Sequence, residues 1–371
     1  MVRRGYLLLI TGVLVGLLLG LIMARVYGST FTSSPSGKPE RVELIFLLTS
    51  EKEAWINSVK PLFEEYFKRR YGIQLELKLY VTGSHETVNL ILSGSVKPDV
   101  WSPASSIWIP YLEKKWREAY NSSIVGEWYP VALSPLVLGG WSDLVAKYNV
   151  KGFYDLYRLA KEGVDFKYGH TDPMLSNSGL MALLLEFCEA ANKTPDKLTV
   201  RDIQNQSVLE VVKTIESKAV FYGKSTGFFG EWAVENGPSA ISFFAVYENV
   251  VASSAAKARA KWGIGITAVY PGFGLLYTDH PLVMIEADWV DYWKKLAARE
   301  LLLFLLQPQM QELAQRFGFR PVNPLVPLDD SIFNESNGVA REIRAKALKP
   351  PSGEVLEAIL EAWVKVRNPG V

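Results

Sequence analysis

With one cysteine, Cys188, and three histidines, His85, His170 and His280, in 371 residues, the chain can close no internal disulfide and build no thiolate zinc site. Cys188 sits in the apolar run LLLEFCEA and reads as a packed core thiol. So few imidazoles also argue against a hydrolase resting on a nucleophile–base pair. Excess charge is missing too. Forty Lys and Arg against 39 Asp and Glu leave a net charge of +1, without the basic footprint of a nucleic-acid binder. The GKST at 223–226 lacks the preceding glycine spacing of a phosphate loop. Neither metal nor cofactor is expected. What remains is an ordinary globular composition, 49% hydrophobic and 21% charged, long enough for two domains that each bury a core.

The long uncharged run lies at the N-terminus. Gly5 to Ala24 is just long enough, at about 1.5 Å per residue, to cross the hydrocarbon core of a bilayer. Arg3 and Arg4 before it predict a cytoplasmic N-terminus and an external remainder. A secretory signal peptide is the competing reading, but no A-x-A cleavage site follows. Residues 1–28 are therefore expected to be a membrane anchor or signal, and the Ser/Thr/Pro-rich stretch 29–41 a tether. Sequons at Asn121, Asn192, Asn205 and Asn334 agree with an outside location.

Beyond the tether, strand and helix signals alternate. VELIFLLTS (42–50) has the continuous apolarity of a strand buried on both faces, and EAWINSVKPLFEEYFKRRYG has helical spacing with a glycine stop. IQLELKLYVTG, TGSHETVNLILSG and PDVWSPASS add strand, short helix and strand, implying right-handed crossovers and a parallel sheet. Ligands of such sheets sit beyond the carboxyl ends of the strands, here Thr49-Ser50, Gly83-Ser84 and the loop 102–106 with Ser105. A second block runs between two extended segments broken by Pro and Gly, 128–140 and 266–277, expected to cross between lobes near 131–137 and 267–273. It holds HTDPMLSNSG (170–179), a helix, a second helix at VLEVVKTIESKAV, a Ser225-Thr226 loop and a strand AISFFAVYENVV. The reading is an α/β protein of two lobes: 42–133 as the first part of lobe 1, 134–267 as an inserted lobe 2, and 268–371 as the return to lobe 1 with the C-terminal helices.

Ser176-Asn177-Ser178-Gly179 raises a particular question, because it places more donors before the apolar helix LMALLLEF than one helix end needs. Redundant capping is one answer; a polar or anionic ligand at the helix N-terminus is the other. Asp172 fits an ordinary loop cap.

The order of GSHETVNLILSGSVKPDVWSPASS, HTDPMLSNSG, AVYENVV and LLFLLQPQMQELAQRFGFRPVNP along one chain resembles the type II extracellular solute-binding proteins of ABC transporters, in their molybdate/sulfate-like branch, over about residues 42–325. The resemblance implies a periplasmic-binding-protein-like fold whose interlobe cleft holds a tetrahedral oxyanion without a counter-cation, with an ABC permease as partner. It implies hydroxyl ligands from Ser50 and Ser84, a backbone N–H from Ser178 and a strand-end phenol from Tyr247, with Ser105, Ser176, Asn177, Ser225 and Thr226 as further cleft donors. One departure is Glu248 next to Tyr247, which strand alternation would send to the opposite face. The aromatics Trp101, Trp108, Phe228, Phe229 and Trp232 would equally floor a sugar or peptide, and a surface scaffold without a ligand is the remaining class.

Overall fold

The structure, a computed structural model, describes residues 37–367. The expected membrane helix at 5–24 lies outside the described residues; among those described, no helix is long and apolar enough to cross a membrane.

The first lobe opens with β1 (Arg41–Thr49), α1 (Glu53–Tyr71), β2 (Gln74–Thr82), α2 (Ser84–Leu92), β3 (Val100–Ser102), α3 (Trp108–Tyr120) and β4 (Val125–Pro130). In β1, Leu44, Phe46 and Leu48 face a core shared with Trp55, Ile56, Val59, Phe63 and Phe67 of α1, while Leu47 joins Trp101 in a separate core. Burial on both faces explains the unbroken apolar run. The α1 set recurs every three to four residues and so forms one stripe. Gly72 ends the helix in the left-handed region (φ 60°), its N–H donating to the Lys68 carbonyl at 2.7 Å.

The second lobe contains β5 (Ser134–Trp141), α4 (Ser142–Tyr148), α5 (Phe153–Lys161), β6 (Tyr168–Thr171), α6 (Asn177–Ala191), α7 (Val200–Ile203), α8 (Gln206–Glu216), β7 (Ala219–Gly223), α9 (Thr226–Asn236), β8 (Phe243–Tyr247), α10 (Glu248–Trp262), β9 (Ile266–Val269) and β10 (Tyr277–Thr278). The chain then adds β11 (Pro281–Ile285), α11 (Tyr292–Leu305), α12 (Pro308–Gln315) and α13 (Gly353–Arg367). The first sheet has the order β2-β1-β3-β11-β4, with β2, β1 and β3 parallel. The second has β10-β5-β8-β6-β7, with β9 beside β5. Cys188 of α6 is fully buried and its thiol is pushed up by burial, so it is a core residue without thiolate character.

Three expectations need correction. First, the chain crosses out between Pro130 and Ser134 but returns between Thr278 and Pro281, not near 267–273, because β9 and β10 both pair with β5 of the second sheet. The two crossings lie side by side: Pro130 faces Pro281, Ser134 faces Thr278, and Val131 N–H donates to the His280 carbonyl at 3.3 Å. Second, the strand 240–251 is shorter than read. It stops at Tyr247, and ENVV is the first turn of α10. Third, α11 and α12 pack on the first lobe, but α13 does not. Its Val355, Ile359 and Trp363 share the core of α6 and α8, and Phe333 and Val339 in the segment before it pack on the second lobe as well.

Lobe closure about the adjacent crossings at 131–133 and 279–280 is expected on ligand binding, since so few residues need absorb the dihedral change. Small-angle scattering that shows no compaction with a tight ligand would count against it.

Candidate functional site

The hydroxyl-rich loops of both lobes meet at helix N-termini. Ser50 precedes α1 in a short turn, Ser84 starts α2, Ser176 precedes α6, Ser225 precedes α9, and Tyr247 ends β8 immediately before α10. Neither Ser176 nor Ser225 uses its side chain to cap its own helix. The hydroxyls bond one another instead, Ser50 with Ser225 across the lobes and the others within the second lobe. Ser50 Oγ donates to Ser225 Oγ at 2.7 Å and accepts the Gly227 N–H at 3.0 Å. Thr226 Oγ1 donates to Ser178 Oγ at 2.8 Å, Ser178 Oγ lies 2.7 Å from Thr171 Oγ1, and Ser176 Oγ lies 3.4 Å from Thr226 Oγ1. Asn177 ties the remainder together: its Nδ2 donates to Tyr247 OH at 3.0 Å, and its Oδ1 accepts Trp108 Nε1 of the first lobe at 3.0 Å. Backbone completes the contact, with the N–H groups of His85 and Glu86 donating to the Leu175 carbonyl at 3.1 and 3.3 Å.

Every one of these hydroxyl and amide side chains is buried. The N-terminal N–H groups of α2, α6 and α9 therefore converge with them on one dry region, where helix ends favour negative charge. Burial drives the Tyr247 phenol upward, and nearby Glu51 adds to the shift, so the hydroxyl keeps its proton and can donate.

Two expected donors stand apart. Ser84 Oγ accepts the Ala104 N–H at 3.1 Å within its own lobe. Ser105 serves the start of α3, its Oγ 3.4 Å from the Ile107 N–H, and lines an apolar cavity of about 270 Å³ with Leu180, Met181 and Tyr277. Of the five aromatics singled out, Trp108 bonds the cluster; Trp101 Nε1 is spent on Thr87, Phe229 and Trp232 stack within the second lobe, and Phe228 is exposed. Asp172 is a loop cap, accepting the Met174 N–H at 2.9 Å.

Glu248 does not face the cluster. As the first residue of α10 it turns inward against Arg320, whose Nε and one terminal nitrogen reach its two oxygens at 2.7 and 2.8 Å, and Tyr270 OH donates to it as well. What takes its carboxylate away from the cluster is pairing with Arg320, not strand alternation.

The sequence reading missed three buried groups next to Tyr247. Lys52 Nζ, fully enclosed, donates to Glu51 at 3.1 Å and to the Thr49 hydroxyl, and lies 3.3 Å from His280 Nδ1. The His280 ring meets Tyr247 edge-on at 5.7 Å. Burial by itself would raise the Glu51 carboxyl, but Lys52, His280 and Thr49 overcome it and hold it well below the usual range. Burial pushes Lys52 and His280 down. The pair is thus an internally compensated charge at the edge of the site. Nothing in SEKE marks it, since only the short turn at 50–52 swings both side chains inward.

The cluster serines have hydroxyls and backbone N–H groups as partners, a donor array suited to holding a ligand. Two α/β lobes joined by paired crossings, with such an array between them, define a two-lobed binding protein of the type II periplasmic-binding-protein fold. The sequence profile of the bacterial extracellular solute-binding proteins matches residues 49–320, and the chain belongs to that family, among the solute-binding proteins of ABC transporters. A search of curated proteins returned no significant match. Among solved structures, similar ones include the sulfate-binding protein SubI of Mycobacterium tuberculosis H37Rv, at 18% identity and TM-score 0.56 over 89% of this chain and 99% of that one. A periplasmic thiamin-binding protein aligns at 13% identity and TM-score 0.61 over 90% and 99%. A ferric-binding protein from Campylobacter jejuni aligns at 13% and 0.57 over 88% and 98%. At such identities the likeness establishes the fold alone.

Proposed function

We propose that this protein captures a small oxyanion of the molybdate, tungstate or sulfate kind between its lobes and presents it to an ABC permease at the outer face of the cytoplasmic membrane. One observation carries the reading: serine and threonine hydroxyls at helix N-termini are spent on one another, Ser50 with Ser225 across the interface and Thr226 with Ser178 within the second lobe, not on capping. Neutral donors and helix ends suit an anion that brings no counter-cation. The Glu51–Lys52 pair beside them already compensates itself and so demands no charged partner. The sulfate-binding neighbour lends support, whereas the thiamin- and ferric-binding ones share the fold with other ligand chemistry.

Calorimetry against molybdate, tungstate, sulfate and phosphate tests the proposal, and absence of heat with all four would sink it. In the same assay Ser50→Ala is expected to remove a hydrogen bond to a charged group, about 1.5–3 kcal/mol or roughly ten- to a hundredfold in affinity, and Ser84→Ala likewise, because its hydroxyl accepts the Ala104 N–H and still has a proton to donate. Ser178→Ala keeps the backbone donor and should cost less in affinity. It does break the Thr171–Ser178–Thr226 chain, so a stability loss of about 1 kcal/mol is expected there. Equal affinity losses for all three would contradict the assigned roles.

The placement at the membrane rests on residues 5–24. Full-length protein should sediment with membranes and resist an alkaline wash; mature protein free in the medium and starting near residue 28 would overturn it.

A further inference from the structure

On the opposite face of β6 from Thr171, inside the second lobe, three buried ionisable groups meet. His170 of β6, Glu186 of α6 and Glu216 of α8 are 0%, 0% and 6% exposed, and one ligand atom of each lies within 4.8 Å of the others. Hydrogen accounting shows what the cluster needs. His170 Nδ1 is 2.7 Å from the Thr171 carbonyl, which only accepts, so Nδ1 carries a hydrogen and donates it. The phenols spend theirs on outer carboxylate oxygens: Tyr168 OH on Glu186 Oε1 at 2.9 Å and Tyr222 OH on Glu216 Oε2 at 2.7 Å. Left over are His170 Nε2, Glu216 Oε1 at 3.0 Å from it, and Glu186 Oε2, a buried oxygen with no hydrogen-bond partner. Acceptors facing acceptors in a dry interior require either protons or a cation among them.

We propose that His170, Glu186 and Glu216 form a structural site for one divalent first-row cation of the zinc class. One imidazole and two carboxylates are borderline-to-hard ligands that suit such an ion, and their two negative charges neutralise it. The outer contacts are those that orient metal ligands: a ring N–H held by a backbone carbonyl, and carboxylates held by phenols. The helix α13 covers the site. Trp363 packs edge-on against Tyr222 at 5.7 Å, and the Arg367 guanidinium lies 4.8 Å over the same ring. The ion would enter during folding and exchange slowly, pinning β6, α6 and α8 together behind the first turn of α6 that carries Ser178. This site is independent of the oxyanion reading.

The test uses the full chain, tag-free, unfolded in denaturant with chelator and refolded with or without zinc, then passed over chelating resin. About one zinc per chain is expected to remain, with a melting temperature raised by roughly 10 °C over the metal-free protein. Glu186→Gln and His170→Gln should retain about a tenth of that or less. Wild-type protein that retains no zinc and gains no stability overturns the proposal and leaves a protonated imidazole beside a proton-sharing carboxylate pair. Zinc retained by both variants overturns it as well, by placing the metal elsewhere. If the variants do not fold, zinc-edge absorption on the wild type decides: one imidazole with oxygen neighbours at about 2.0–2.1 Å supports the site. A shell with no imidazole, or with more than one, refutes it.

Discussion

Gly227→Ala is expected to weaken capture of the ligand by about ten- to a hundredfold while leaving the unliganded protein as stable as before. A methyl group at Gly227 would come 2.7 Å from the Ser50 carbonyl carbon and 2.8 Å from the Glu51 nitrogen, all of it backbone that cannot rotate aside. The clash exists only when the lobes are together, because Gly227 belongs to α9 of the second lobe and Ser50 to the first. Overpacking of this kind costs about 1–3 kcal/mol, charged wholly to the closed state. Gly83→Ala makes the same test from the other lobe, its methyl falling 2.5 Å from the Leu175 carbonyl oxygen. Calorimetry gives the affinity, and thermal unfolding without ligand gives the control. A variant that binds like wild type would mean that the ligand is held with the lobes farther apart than the hydroxyl contacts imply.

Arg320→Met should destabilise the protein by about 3–5 kcal/mol, the cost of leaving a buried charge without its partner. Glu248 is fully buried, and the guanidinium that spans its two oxygens also donates to the carbonyls of Ala340 and Arg341 at 2.6 and 2.9 Å and lies 4.7 Å over the Phe333 ring. Burial would lower the arginine, but Glu248 more than offsets it, so the guanidinium stays charged. One side chain therefore ties the first turn of α10, which follows Tyr247, to the strand-like passage at 320 and to the segment leading toward α13. Removing Glu248 together with Arg320, as Glu248→Leu/Arg320→Met, should restore most of the loss, since an apolar pair carries no stranded charge. Chemical denaturation of the single and double variants measures both. A single variant within about 0.5 kcal/mol of wild type would show that the pair is solvated and not structural.

Local physics made much of the scaffold legible in the sequence. The unbroken apolar run of β1 could only be a strand covered on both faces, the 3.6-residue stripe of α1 ended at Gly72, and the alternation of strands and helices forced a parallel sheet. Hydroxyls at strand ends and helix starts pointed to the interlobe loops because helix N-termini leave donors unpaired wherever they occur. Which of those hydroxyls meet is a different matter. Ser50 and Ser225 are separated by 175 residues and Tyr247 and Asn177 by 70, so no local pattern records their contact. The return crossing was misplaced because Pro271 and Gly272 interrupt the ladder only locally, while pairing of β10 with β5 holds the chain in the second sheet to Thr278. Glu248 looked like a strand residue beside a ligand until its bonds to Arg320 turned it into a buried ion pair. The Lys52–Glu51–His280 group and the His170–Glu186–Glu216 cluster were equally invisible. Charged side chains carry no periodicity that distinguishes a solvated face from a sealed interior, and only the packing of distant elements around them removes the water and makes their partners matter.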